Sequence, residues 1–112
     1  MKTEDIIDGL NKSIESIRKE SNISTNGFFV LHREILSHPT FKAYKTYKAK
    51  IWYVINKEKY NAISVEITDK VLDGQEENMN RRLDIELTNK LFSLLYNKFN
   101  EIIQGTYAPN RI

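Results

Sequence analysis

Residues 47–68, YKAKIWYVINKEKYNAISVEIT, decide the fold of this chain. Side chains alternate in character along the first half, and one face carries Tyr47, Ala49, Ile51, Tyr53 and Ile55. The second half repeats this two-residue period, with one face carrying Ile63, Val65 and Ile67. That period is typical of half-buried β-strands. The polar residues 56–59 (NKEK) separate the two runs, so the sequence predicts a β-hairpin joined by a short loop.

A helix is the competing interpretation of the first run, because some of its large side chains also fall at helical spacing. They are Tyr44, Tyr47, Ile51, Val54 and Ile55. The β-branched residues and the second alternating run favour the hairpin.

Two amphipathic helices are predicted on either side of the hairpin. The first has a face formed by Ile6, Ile7, Leu10, Ile14 and Ile17. The second is long, roughly residues 78–104, with Leu83, Leu87, Leu91, Leu94, Leu95, Phe99, Ile102 and Ile103 on its periodic face. Gly105 and Pro109 follow it as stop signals, and we expect the tail after Gly105 to be loosely held.

The segment FFVLHREILSHP, residues 28–39, fits both a strand and a helical stripe. We favour a strand over its first half, ended by a turn around His38 and Pro39. The predicted fold is therefore α+β, in α-β-β-β-α order, with a three-stranded antiparallel sheet packed on two helices. At 112 residues the chain is expected to form a single domain, residues 1–112.

The composition points to a globular protein of a reducing compartment. Hydrophobic residues make up 40% and charged residues 29% of the chain, and there is no cysteine. The N-terminus lacks the apolar run of a signal peptide, and no stretch approaches the length of a membrane span. We expect a cytoplasmic protein that does not interact with membranes. Abundant Lys, Asn, Ile and Tyr, which AT-rich codons encode, indicate a low-GC bacterium, its phage or an AT-rich virus.

Charge is unevenly distributed along the sequence. Residues 40–60 hold six lysines and one glutamate, whereas residues 61–87 hold seven acidic and three basic side chains. This pattern predicts a basic lobe and an acidic lobe that attract different partners, unless both are simply solvated faces.

Signals for catalysis, metals and cofactors are weak, so we predict a non-enzymatic protein that binds no metal and no cofactor. Four dispersed glycines cannot form a phosphate-binding loop, and His32 and His38 are spaced too far apart to chelate one metal from a regular element. The acids of residues 69–77 lack a calcium-loop pattern and suit a helix N-terminus.

The aromatic and basic residues of the hairpin form the candidate binding site. Alternation places Lys48 and Lys50 on the same face as Trp52, and Lys42, Tyr44 and Lys45 are expected on the loop leading in. Trp52 is then an anchor for a protein partner, or else it packs beneath the first helix. The complete set of predicted binding residues is Lys42, Tyr44, Lys45, Lys48, Lys50, Trp52, Lys57 and Lys59, with Asp73, Glu76 and Glu77 as a second, acidic contact.

Size, charge and the lack of catalytic motifs favour a small binding protein that modulates or inhibits a larger macromolecule. A phage or mobile-element accessory protein, of the anti-defence, immunity or host-takeover kind, fits these features. The alternative is a nucleic-acid-binding protein whose lysines contact phosphates, while the same lysines could instead serve only to protect an exposed strand edge. A protein or nucleoprotein partner is favoured over a small molecule, and pairing of two copies as a homodimer is left open.

Overall fold

A computed structural model describes residues 2–109, and it confirms the α+β class and the α-β-β-β-α order. The elements are helix α1 (Thr3–Glu20), strands β1 (Phe28–Ser37), β2 (Tyr44–Ile55) and β3 (Glu58–Lys70), and helix α2 (Glu76–Gln104). No helix within residues 2–109 is both long enough and apolar enough to cross a membrane.

Strand β2 is the centre of an antiparallel sheet with the order β1-β2-β3. The alternating face predicted for it is the buried one, since Tyr47, Ala49, Ile51 and Tyr53 are each no more than 1% exposed. The competing helix over this segment is wrong. β-branched and aromatic side chains pack well on a pleated surface that has a neighbouring strand on each side.

The turn between β2 and β3 is shorter than the sequence suggested. Only Asn56 and Lys57 lie between the strands, and both have positive φ, 52° and 66°. Two such residues match the twist of a type I′ hairpin turn. The predicted four-residue loop is therefore wrong, because Glu58 and Lys59 already pair with β2.

A β-bulge at Ala62 reconciles this tight turn with the burial of β3. Ile51 pairs with Ile63, but Trp52 pairs with Asn61, so Ala62 has no partner of its own. Without one extra residue, a two-residue turn would place the apolar positions of β3 on the opposite face of the sheet.

Both helices pack on one face of the sheet, α1 against β1 and α2 against β2 and β3. The core between them includes Ile7 and Ile14 of α1 and Leu83, Leu87 and Leu91 of α2. No helix covers the other face within the described residues. The molecule is elongated, 53 × 27 × 20 Å, with a radius of gyration of 16.1 Å against about 13 Å for a compact domain of this length.

Two local predictions are corrected by tertiary packing. Strand β1 continues to Ser37 rather than ending halfway, because its second half pairs with β2 as far as Lys45. The tail after Gly105 is not loose where it begins, since Tyr107 is 5% exposed and its ring lies edge-on to that of Tyr53. Residues 110–112 lie outside the described part of the chain.

Arg18 joins the C-terminal end of α2 to α1 and the sheet. Its buried guanidinium donates to the main-chain oxygens of Gly27, Ile102 and Ile103 and to the hydroxyl of Tyr53. Helix α2 has no basic residue in its own last turn. The cation that suits its C-terminal carbonyl groups therefore comes from α1.

Candidate functional site

The candidate site is the face of the sheet turned away from the helices, here called the open face. It consists of the side chains that alternate with the buried ones along each strand. They are Phe28, Val30, His32, Glu34 and Leu36 of β1, Tyr44, Thr46, Lys48, Lys50, Trp52 and Val54 of β2, and Lys59, Asn61, Ser64, Glu66, Thr68 and Lys70 of β3.

Trp52 lies on the open face between two neighbouring side chains. The ring of His32 stacks on the indole with centroids 5.5 Å apart and planes 10° from parallel. The ammonium group of Lys59 lies 4.2 Å from the indole centroid, within the range of a cation–π interaction. The indole Nε1 atom is buried and has no hydrogen-bond partner. Trp52 therefore does not pack beneath α1, and we call these three residues the Trp52 cluster.

No local feature of the sequence indicates that His32 belongs to this cluster. Its place there follows from the pairing of β1 with β2, which sets His32 opposite Lys50, next to the pair formed by Val30 and Trp52. The other histidine serves the backbone, since Nδ1 of His38 accepts hydrogen bonds from the main-chain N–H groups of Thr40 and Phe41. Among residues 2–109 no group of three or more His, Asp or Glu side chains could hold a metal ion.

The predicted basic residues are brought together only in part. Lys48, Lys50 and Lys59 lie on the open face, while Lys57 is in the turn and Lys42 in the β1–β2 connection. Tyr44 and Lys45 are the first two residues of β2 rather than part of a loop. Alternation places Tyr44 on the open face and Lys45 on the face of the helices, opposite Asp69.

Acidic side chains flank the lysines across the sheet. Glu34 of β1 is opposite Lys48 of β2, and Glu66 of β3 is opposite Lys48 on its other side. The predicted separation into a basic and an acidic lobe does not hold within the sheet, because antiparallel pairing sets Glu34 and Glu66 beside Lys48. The open face is consequently mixed in charge.

The acidic segment lies far from the Trp52 cluster. Asp73 is in the β3–α2 connection, and Glu76 and Glu77 are exposed in the first turn of α2, where carboxylates suit the helix dipole. This connection follows Lys70, which pairs with Tyr44, eight residues along β2 from Trp52. At the rise of a strand that separation is about 26 Å, so the two predicted contacts are not one surface.

A cleft of about 750 Å³ lies between the start of α1 and the first half of α2. Arg33 in its wall donates to Glu4 at 2.7 and 3.0 Å and also to Asp84. The hydrogen bond from Arg33 holds the pKa of the Glu4 carboxyl below its usual value, and the hydrogen bond to Glu4 raises the pKa of Arg33. Two carboxylates therefore pair with this guanidinium, although its Nη1 atom is buried without a hydrogen-bond partner among the described residues.

Comparison of the chain with protein-family models, with curated proteins and with solved structures found no match. The fold and the open face are therefore the basis for a functional proposal.

Proposed function

We propose that this protein is a non-enzymatic binding protein that modulates or inhibits a larger macromolecular partner, and that it contacts that partner through its open face. The observation that carries the proposal is the Trp52 cluster, because a large aromatic ring lies on a sheet face with no helix above it. Tryptophan is enriched among the residues that dominate binding energy in protein interfaces.

The chain exposes more surface than an average folded monomer of its mass, as its elongated shape implies. Its accessible surface is 7478 Å², whereas a folded monomer of 13.2 kDa has about 6,400 Å². The excess of about 1,000 Å² is comparable to the roughly 800 Å² that each partner buries in a standard protein–protein interface.

Charge favours a protein as the partner. Glu34 and Glu66 lie on either side of Lys48, so a phosphate backbone running across the sheet would meet carboxylates as well as ammonium groups. A protein surface with charges of both signs can complement such an arrangement.

Single-stranded nucleic acid is the second candidate, and one specific observation favours it. The nearly parallel rings of His32 and Trp52, with Lys50 and Lys59 beside them, resemble the aromatic and basic platforms on which unpaired bases stack.

Trp52 is the only tryptophan, so its fluorescence reports on this face directly. The protein is titrated with short single-stranded DNA and RNA at low and moderate salt. A fluorescence change that weakens steeply with salt, and that Lys50→Glu with Lys59→Glu abolishes, establishes the nucleic-acid function. No change at low salt removes it.

The protein arm compares affinity capture by the wild type, by Trp52→Ala and by Phe41→Ala. Phe41 is the control because it is an aromatic residue, 61% exposed, in the β1–β2 connection, and its ring contacts Tyr44 at the end of the open face far from Trp52. A stoichiometric partner held by wild type and Phe41→Ala but lost with Trp52→Ala, and then bound by the purified protein with a change in Trp52 fluorescence, supports the proposal. Identical capture by all three proteins contradicts a role for the Trp52 cluster.

From the composition we further propose that the protein is a cytoplasmic accessory protein of a phage or mobile element. The genes adjacent to its own test that extension, because defence, replication or toxin genes each imply a different partner.

A further inference from the structure

Helix α2 carries a second apolar surface on the side away from the sheet, and Ile85 at its N-terminal end also lines the cleft beside α1. Ile85, Phe92, Tyr96 and Phe99, here called the α2 stripe, are 55%, 57%, 90% and 40% exposed. At 100° per residue, Phe92 lies about 140° and Tyr96 about 180° around the helix from the buried Leu87. The stripe is therefore opposite the side of α2 that packs on the sheet.

The spacing of the stripe suits a second helix. Ile85, Phe92 and Phe99 are seven residues apart, which keeps them in line along a shallow crossing between two helices. Charges are scarce beside them, since Lys90 is the only charged residue within positions 87–97. The Lys90 ammonium donates to the main-chain oxygen of Ser64 at 3.2 Å and so points towards β3. Such local depletion of charge is typical of the centre of an interface.

We propose that two copies of this chain form a homodimer by packing their α2 stripes together in antiparallel orientation. A two-fold axis at Phe92 sets Phe92 against its counterpart and Ile85 against Phe99 of the other copy, so the stripe is self-complementary. A parallel pair would instead bring Arg81 and Arg82, one turn before Ile85, against the same residues of the second copy.

The exposed rings of the stripe supply a large part of the area that a stable pair needs. Taking about 200 Å² for each aromatic side chain, the exposed parts of Phe92, Tyr96 and Phe99 amount to roughly 370 Å² per copy. Two copies supply about 740 Å² from these rings alone, more than half of the roughly 1,200 Å² at which specific interfaces begin. Ile85 and the uncharged side chains beside the stripe add to this area.

The first test measures the mass in solution over a range of concentrations, by light scattering after size exclusion and by sedimentation. The wild type is expected at twice 13.2 kDa. Phe92→Glu is expected to raise the dissociation constant of the dimer at least about 100-fold, because a central aromatic residue is lost from both copies. Phe41→Glu is the matched control, since Phe41 is 61% exposed and outside the stripe, and it should leave the dimer intact.

The second test uses the absence of cysteine from the chain. In the antiparallel pair, Ile85→Cys alone forms no disulfide between copies, whereas mixing Ile85→Cys with Phe99→Cys produces cross-linked heterodimers under oxidising conditions. Cross-linking of Ile85→Cys with itself overturns the antiparallel orientation. A wild type that is monomeric at all concentrations, together with no cross-link between Ile85→Cys and Phe99→Cys, overturns the dimer, as does equal dissociation by Phe92→Glu and Phe41→Glu. None of these results depends on the function of the open face.

Discussion

Replacement of Arg18 by methionine is expected to lower the free energy of unfolding by about 2–4 kcal/mol. The guanidinium donates at 2.6 Å to Gly27 O, at 3.0 Å to Ile103 O and at 2.9 Å to the hydroxyl of Tyr53, with a further bond to Ile102 O. All of its acceptors are neutral, so the group acts through hydrogen bonds and the carbonyl end of α2 rather than through an ion pair.

The magnitude follows from these four contacts. A buried intramolecular hydrogen bond contributes about 1 kcal/mol net, and bonds to a charged group contribute more. The loss is reduced because Ile102 O and Ile103 O keep weaker donors, the hydroxyls of Tyr53 at 3.2 Å and Thr25 at 3.4 Å. Methionine also fills the space of the apolar stem and removes the cost of burying a cation.

Urea denaturation followed by far-ultraviolet circular dichroism measures the change, with Lys19→Met as the control. Lys19 is the next residue of α1, but its side chain is 76% exposed and its ammonium group contacts Glu15 at 3.3 Å, an interaction of little consequence for stability. The control should stay within about 0.5 kcal/mol of the wild type. An Arg18→Met protein as stable as the control would refute the role assigned to the guanidinium.

Three further outcomes are expected. Burial, with a smaller effect of the Glu101 charge, raises the pKa of Tyr107 to about 12. The stability that the neutral phenol contributes should therefore be complete below pH 10, the usual tyrosine value, and be lost as the pH rises towards 12. Ultraviolet titration of the phenol, and comparison of alkaline unfolding with that of Tyr107→Phe, check this. Lys57→Gly should raise the free energy of unfolding by about 0.5–1 kcal/mol in urea denaturation, because glycine adopts positive φ without strain, and a loss of stability would contradict the type I′ turn. Gly27→Ala should lower the free energy of unfolding by about 2 kcal/mol or more, since the added Cβ would lie 2.0 Å from the hydroxyl oxygen of the fully buried Tyr53. An unchanged thermal unfolding midpoint would show that the Tyr53 ring can move aside.

The hairpin could be predicted because one local property, alternation, determines both the strand and its buried face. Tyr47, Ala49, Ile51 and Tyr53 are buried as their spacing implied. The long helix was equally visible in the repeat of Leu83, Leu87 and Leu91, and Gly105 does end it, with φ of 78° in the left-handed region.

The errors share a different cause, the pairing of segments that are distant in sequence. The run of lysines in residues 40–60 looks basic only until β3 brings Glu66 beside Lys48. His32 joins Trp52 only through the register of β1 on β2. Tyr107 carries no local signal of burial, and its position follows from the ring of Tyr53 against which it packs.

The α2 stripe is not recognisable from the sequence, because apolar residues lie on two sides of the helix and one stripe residue, Phe99, continues the four-residue spacing of Leu91 and Leu95. Phe99 was assigned to the same periodic face as Leu87, whereas the structure leaves it 40% exposed. A helix with apolar residues on two sides gives a weak periodic signal, and only its packing shows which side is covered.

The unpaired Ala62 has a consequence for natural variation in the length of this chain. Pairs on both sides of it, Ile51 with Ile63 and Trp52 with Asn61, would remain as they are if that single residue were deleted, and β3 would become a regular strand. Deletion of Ser64 would instead place the Ile63 side chain on the open face. A strand is ordinarily intolerant of deletions, but a chain one residue shorter at this point would keep the pairing of β3 with β2 and lose only the partly buried Ala62 side chain from the edge of the core.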